Sequence, residues 1–424
     1  MKIKFKAIFA VLLCCASVFS TGCSKEHSDT TSDVSGGGNI GPVTDVVDSS
    51  HVTYSYSDTY SITGDETNDI NPDVSLPDNF EFDFNLLEYM STTSNGNCVV
   101  SPIALMSSID ILLNGSSGET HDALLSSVKV GNEDDVSRVL RNFDSFRNEF
   151  LVPGAKLDIY HCLWKKFGTS DYKTSFLNQI SSRNVAQKYI NSRLLSSDSG
   201  SWVSGCTDGR ITTYFDKNRD VSGSQLIIAD VLDIVDRWGV CFENAGPSAF
   251  YDELGFYPVK KYITCTEELY YYKDDRTEFV SIPLESELAF TIVIGDVDNL
   301  ADMLYKAEKT VVSVLMPVID LNVVLDKDML NGFLKKNGAS VVFGSADFSK
   351  MYDGASSLSE IAQRIKITVD ENGLNAPSNN KVPNDLRAEE YFIANKPFTF
   401  FVHTADNGNT GVDSIILLEG NVCK

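Results

Sequence analysis

Residues 371–390 read Glu371-Asn372-Gly373-Leu374-Asn375-Ala376-Pro377-Ser378-Asn379-Asn380-Lys381-Val382-Pro383-Asn384-Asp385-Leu386-Arg387-Ala388-Glu389-Glu390. The stretch is polar, holds two prolines and has neither the period of a strand nor that of a helix. Apolar segments that do predict strands lie on both sides, residues 361–370 before it and 397–403 after it. A structureless connection of 20 residues inside a compact domain is uncommon; such loops are functional or disordered. An exposed loop of this length is also one that a protease can enter and cut. A plain mobile connection is the alternative.

Outward from the loop, strand patterns dominate from residue 226 on. Residues 226–232 (Leu-Ile-Ile-Ala-Asp-Val-Leu) are a buried-strand run, 277–283 and 289–294 predict a strand pair, and 311–316 predict a further strand. Residues 326–336 predict an amphipathic helix with Met329, Leu330 and Phe333 inward. The apolar runs 397–403 and 414–418 are joined across Asn407-Gly408, a hairpin-type signal. Before residue 226 the body opens with helices. Asp78 can cap a segment with Phe80, Phe84 and Leu87 on one face, and Cys98-Val99-Val100 is a short strand. Ser101-Pro102 is a cap and first-turn pair for a helix carrying Ile103, Met106, Ile109 and Leu113, stopped at Asn114-Gly115. Another helix follows Gly118. Helices first and strands later, without βαβ alternation or a fixed repeat, predict an α+β fold. A two-lobed solute-binding lipoprotein needs the βαβ repeats that are missing here.

The chain has 59 acidic against 35 basic residues, a formal net charge of −24, and no Lys/Arg cluster. A chain of this charge repels phosphates, so a nucleic-acid partner is excluded. At the N-terminus, Lys2, Lys4 and Lys6 precede an apolar run over residues 7–19, and then Ser20-Thr21-Gly22-Cys23. That order is a secretory signal, too short to span a bilayer. Small residues before a cysteine resemble the bacterial lipobox, although Ser20 stands where Leu is usual. Residues 1–22 are therefore expected to be a lipoprotein signal, with Cys23 the lipid anchor to a membrane; plain secretion is the alternative. Residues 23–75 read as a flexible Ser/Thr/Asp/Gly tether, ten acids against Lys25 alone, and 76–424 as one domain. The expectation is thus an exported, surface-anchored monomer. Cys98, Cys162, Cys206, Cys241, Cys265 and Cys423 remain for the body. One or two disulfides and scattered buried thiols are both compatible with that count.

Catalytic motifs are absent: no Gly-x-Ser-x-Gly, Walker loop, His-Glu-x-x-His or Gly-x-Gly-x-x-Gly. His161 adjoins Cys162, but neighbours on a strand point to opposite faces, so the pair is poorly placed to act together. No metal-ligand spacing occurs, no cofactor is expected, and an enzyme reading is poor.

Taken in order, these segments resemble the serpins over about residues 80–422. Val99-Val100-Ser101-Pro102-Ile103 followed by residues 114–120 looks like that family's shutter strand and the helices after it. Residues 201–211 are similar to its segment before the third strand of the large sheet. Residues 226–230, with Trp238 eight positions on, resemble that strand and the breach tryptophan. Residues 347–351 and 361–373 resemble the strand entering the reactive loop, and 395–400 and 419–422 the closing strands. The resemblance implies N-terminal helices on a large mixed sheet, further smaller sheets and an exposed reactive loop. It also implies a metastable native state: a protease cuts the loop, the loop inserts as a new strand, and the acyl-enzyme is carried along and distorted.

With Glu371 as the hinge glutamate, the family's count of about sixteen positions reaches Arg387, followed by Ala388. The implied partner is a trypsin-like or other Arg-cleaving protease; Lys381 and Leu386 are the choices if the register slips. The hinge Glu371, Gly373, Leu374, Ala376 departs from the family's run of small residues. Pro377 cannot donate in a central strand, and Asn380 would need a buried partner or cost about 1–3 kcal/mol on insertion. In the shutter, Ser101 is present, Ala104 replaces a serine, and a familiar Asn/His pair becomes Asp230 and Gln363. A suicide-substrate inhibitor and a non-inhibitory serpin-fold lipoprotein acting as a binding or structural module both remain open.

Overall fold

The computed structural model describes residues 80–423, apart from 95, 130–131, 252–257, 298–299, 326, 355–356 and 406–414. The signal and tether, Cys23, Asp78, the side chains of Phe80 and Phe84, and the Asn407-Gly408 turn lie outside the described residues. The first half of the body runs α1 (Phe80–Thr93), β1 (Cys98–Val100), α2 (Pro102–Gly115), α3 (Gly118–Ser127), α4 (Glu133–Phe150), β2 (Lys156–Lys166), α5 (Thr174–Gln179), β3 (Asn184–Ile190), α6 (Leu195–Cys206). The second half runs β4 (Leu226–Arg237), β5 (Glu243–Ala249), β6 (Val259–Lys273), β7 (Thr277–Pro283), β8 (Leu288–Gly295), α7 (Leu300–Lys306), β9 (Glu308–Pro317), β10 (Ile319–Leu325) and α8 (Leu330–Lys336). After a 3-10 turn (Ala339–Phe343) come β11 (Glu360–Asp370), β12 (Gly373–Leu374), β13 (Glu390–Ile393), β14 (Phe398–Thr404) and β15 (Ile416–Val422).

Local chemistry accounts for the elements that place the site. Ser101 accepts a hydrogen bond from the Ala104 N–H (3.3 Å) and Pro102 sits in the first turn, so α2 starts where the sequence predicts. Nearly every α2 residue is buried, which makes it the central helix of the core. In α4, Asn132 and Asp135 form a reciprocal capping box, and Val136, Leu140 and Phe143 share the buried face.

Strands β10, β11, β12, β4, β2 and β3 form a mixed sheet, long-stranded at its centre: β2, β4 and β11 have 11, 12 and 11 residues. The nine remaining strands, joined through β6, form a second sheet that is antiparallel except where β13 runs parallel to β9. β4 is buried on both faces, as the apolar residues of 226–232 predict, although it also carries Asp230, Asp233 and Asp236. Leu226, Ile228 and Leu232 enter the main core, whereas Ile227, Ala229 and Val231 pack in a smaller cluster with Val203 of α6 and Tyr214. This is the α+β architecture expected. The helix expected over residues 326–336 is shorter: α8 begins only at Leu330, with 327–329 in a turn. There Leu330 enters the core, and Asn331 is tied to β11 through the Ser359 carbonyl and the Ile361 N–H. No disulfide forms among the described residues, so the scattered-thiol alternative holds: Cys98, Cys162 and Cys265 are buried and Cys206, Cys241 and Cys423 half-buried.

Candidate functional site

The site is the seam between β4 and β11. At its lower end the two strands pair directly and in parallel, residues 227–231 against 360–364. At its upper end they part, and β12 lies between them, antiparallel to both: Leu374 faces Asp236 and Val369, Gly373 faces Arg237 and Asp370. After the Glu371-Asn372 turn, the third and fourth residues of the polar loop are thus already strand.

Gly373 permits this. Its φ is +136°, and a Cβ there would stand 2.3 Å from the Asp236 carbonyl oxygen. Leu374 is fully buried in the main core and Ala376 is buried, the alternation expected of an inserting strand. Between them the chain turns away at Asn375, whose φ is +50°. Its N–H donates to the Thr368 carbonyl (2.8 Å), its Oδ1 accepts from the Thr368 N–H (2.9 Å), and its Nδ2 donates to Ile234 O (2.9 Å) and Lys366 O (3.3 Å).

Above β12, Trp238 is fully buried against Phe242 and Phe290, with ring centroids 4.9 and 5.7 Å away. Its Nε1 donates to the Asp370 carbonyl (2.7 Å) and its backbone N–H to the Asn372 carbonyl (3.3 Å). Asn379 closes the loop back onto the same place: its Nδ2 donates to Trp238 O (3.4 Å) and Val240 O (3.2 Å), and its N–H to Asn372 Oδ1 (3.1 Å). Lys261 pairs with Glu371 (3.0 Å), and Lys381 with Glu285 (3.3 Å). Its own N–H and the Lys261 ammonium hold the Glu371 carboxyl below the usual carboxylate range. Burial pushes Asp236 up to about 6, against opposing N–H donors from Ser286 and Arg237.

At the lower end the seam is closed by side chains. The Gln363 amide clasps the Ser101 backbone, accepting from its N–H (2.7 Å) and donating to its carbonyl (3.0 Å). Ser101 Oγ donates to Leu417 O (2.7 Å). Asp230 lies opposite Gln363 in the strand register, but its Oδ2 accepts from Ser108 Oγ (2.9 Å) and its Oδ1 has no partner among the described residues. His161 stands between Ser107 and Ser108, at 2.9 and 3.2 Å. The Tyr214 hydroxyl lies 2.8 Å from the carbonyls of both Asp230 and Ala362, bridging β4 and β11. Burial lifts the Asp230 carboxyl to about 7, opposed by the Ser108 hydroxyl. Burial, then Arg183, lowers His161 to about 3, so its ring is neutral.

From Asn375 the loop runs without regular structure to β13, where the Glu389 N–H joins the Val311 carbonyl (2.8 Å). Asn384 donates to Glu267 (2.6 Å) and Cys241 Sγ lies 3.2 Å from the Lys381 carbonyl. Arg387 is exposed with no ion-pair partner among the described residues, Ala388 is half-buried, and Leu386 is 42% exposed. The residues singled out from sequence therefore fall in three places: Trp238, Glu371, Gly373, Leu374 and Ala376 at the opening, Ser101, Asp230 and Gln363 at the closure, Arg387 and Ala388 on the loop. Asn375, Asn379, Tyr214, Ser107, Ser108 and His161 were not singled out for the seam. Strand alternation alone could have turned His161 toward α2 and Cys162 toward α6, which is where they lie.

Such a site defines a class of protein in which a protease-accessible loop is continuous with a strand that has begun to enter a sheet. Residues 77–412 match the family described as Serpin (serine protease inhibitor), and the chain belongs to the serpin family. Solved structures share the fold at low identity. A thermophilic serpin, tengpin, in the native state is 19% identical, with 85% of this chain and 96% of that one covered and a TM-score of 0.70. Human thyroxine-binding globulin is 15% identical, over 82% and 97% of the two chains, with a TM-score of 0.72. The specific serpin Serpin48 of the insect Tenebrio molitor is 18% identical over 82% and 96%, with a TM-score of 0.69. No curated protein sequence matches the chain.

Proposed function

We propose that this serpin is a surface-tethered suicide inhibitor of a trypsin-like or other Arg-cleaving protease, cut between Arg387 and Ala388. The observation that carries the reading is the continuity of the loop: Gly373 and Leu374 already occupy strand positions between β4 and β11, while Arg387 remains exposed further along the same chain. A cationic side chain there suits an acidic specificity pocket. Attack on the Arg387 carbonyl forms an acyl-enzyme and releases the Ala388 amine. Insertion of residues beyond Leu374 then draws the acyl-enzyme away before water reaches it. The protein is consumed and does not turn over. Cys23 and the acidic spacer over residues 24–75 supply the membrane anchor and reach.

Pro377 and Asn375 favour a second reading, a serpin-fold protein that is cleaved without trapping, because both oppose extending β12. Mixing the purified body with trypsin at equal concentration and running a denaturing gel separates the two. A covalent complex that survives denaturation is the expected result. Clean cleavage after Arg387 without a complex overturns inhibition. For the anchor, replacing Cys23 with alanine is expected to move the protein from membrane to soluble fractions; unchanged membrane association overturns it.

A further inference from the structure

We infer that Asn375 is a stop wedged in the open mouth of the β4–β11 seam, a positioning residue that sets how fast the loop inserts beyond Leu374. The inference rests on the insertion reading above and adds the group that governs its rate.

Asn375 takes part in the sheet twice over. Its backbone N–H makes one ordinary ladder bond, to the Thr368 carbonyl. Its side chain then meets groups that a continuing strand would use: the Thr368 N–H on β11, the Lys366 carbonyl on β11 and the Ile234 carbonyl on β4. A primary amide has both a carbonyl and an N–H, so it imitates the peptide unit that would follow. It thereby partners one N–H and two carbonyls of the parted strands that would otherwise be open ladder edge. Its left-handed backbone meanwhile breaks the extended run, and β12 ends at Leu374. Asn is among the few residues that combine this backbone with such a side chain.

Insertion of the next residue therefore requires two coupled changes at one position. The side-chain bonds to Ile234, Lys366 and Thr368 must break, and φ must cross to the extended region before Ala376 can take their place. By contrast, the bonds of Asn379 and Lys381 hold the loop outside the sheet, on Trp238, Val240 and Glu285, and do not fill the seam.

Asn375→Gly tests this, since glycine accepts the native φ and removes only the amide. The loop is cut with a brief trypsin pulse, and the fraction of full-chain protein that resists unfolding between the native and cleaved melting temperatures is followed over time. Insertion in Asn375→Gly is expected to be about tenfold faster or more, at unchanged kcat/KM for cleavage, because Arg387 stands far along the exposed loop. Asn375→Asp keeps the acceptor for Thr368 and loses the donors to Ile234 and Lys366; it should also insert faster, and serves if the glycine variant does not fold. Asn379→Ala, which loosens the loop outside the seam without emptying the seam, should accelerate insertion far less than Asn375→Gly. Equal insertion in wild type and both Asn375 variants overturns the stop, as does an equal acceleration in Asn379→Ala. If cleaved wild type never gains resistance while Asn375→Gly does, the stop stands and the inhibitor reading falls.

Discussion

β4 and β11 meet in two ways along one seam, and the contrast shows how the same strand pair can be both closed and ready to part. Below, they bond directly, and Ser101–Gln363, Ser108–Asp230 and the Tyr214 hydroxyl fasten the pair with buried side chains. Above, they are separated by two residues of the loop, and three further ladder groups are met by the side chain of a single asparagine. The lower contacts are buried and fully desolvated, so each is expensive to break singly. The upper contacts are partly exposed and exchangeable for a continuing strand. Further insertion thus exchanges these contacts for ladder hydrogen bonds; it meets resistance first at Asn375 and again where the buried polar cluster begins.

The largest break in that contrast should come from Gly373→Val. The added atoms collide with the Asp236 carbonyl at a φ of +136° that valine cannot hold, so β12 should leave the sheet. Native stability falls by about 4 kcal/mol, read as a denaturant midpoint, and the loop becomes more sensitive to proteases at Asn375–Lys381.

Asp230→Asn sharpens the lower half through pH. The folded carboxyl has its pKa raised to about 7, so it favours folding while neutral, and that contribution is lost as pH rises from about 4 through 7. The variant removes the buried charge. Its stability relative to wild type should therefore increase by roughly 2–3 kcal/mol between pH 4 and pH 8, within the ceiling that about 1.4 kcal/mol per pH unit sets between an unfolded carboxyl and this one. A difference that stays flat with pH would show Asp230 to be no titrating member of the closure. His161, held neutral, acts in the opposite sense: its contribution is present above about pH 6.5 and lost toward its folded value of about 3.

Gln363→Ala leaves the Ser101 N–H without its partner, while the Ser101 carbonyl keeps the Leu105 N–H, and should lower stability by about 2 kcal/mol while speeding insertion after cleavage. Equal destabilisation with unchanged insertion would separate the closure from the gating. The smallest effect is expected from Lys261→Ala. Its pair with Glu371 is half in water, so thermal melting should move by less than about 1 kcal/mol equivalent and less still at high salt.

Much of this was legible in the chain. The apolar runs at 226–232, 277–283 and 311–316 became strands because β-runs carry their own period, and β4 only proved longer, to Arg237. The loop was legible from two prolines and lost periodicity, and Gly373 from its place after the hinge glutamate. The closure was legible in part: Ser101, Asp230 and Gln363 stand in it, with Asp230 opposite Gln363, but that Asp230 bonds Ser108 and Gln363 the Ser101 backbone depends on which strand faces which helix. Tyr214, His161 and Ser108 carry no local signal, since their partners lie 16 to 148 positions away.

By itself, then, the sequence determined which segments are strands and helices and where the chain is polar and without period, since these follow from local period and side-chain chemistry. Only the tertiary structure decided how far the loop has entered the sheet and what stops it. Gly373, Leu374 and Asn375 acquire those roles from carbonyls and N–H groups of β4 and β11, and that juxtaposition exists only once the sheet has formed.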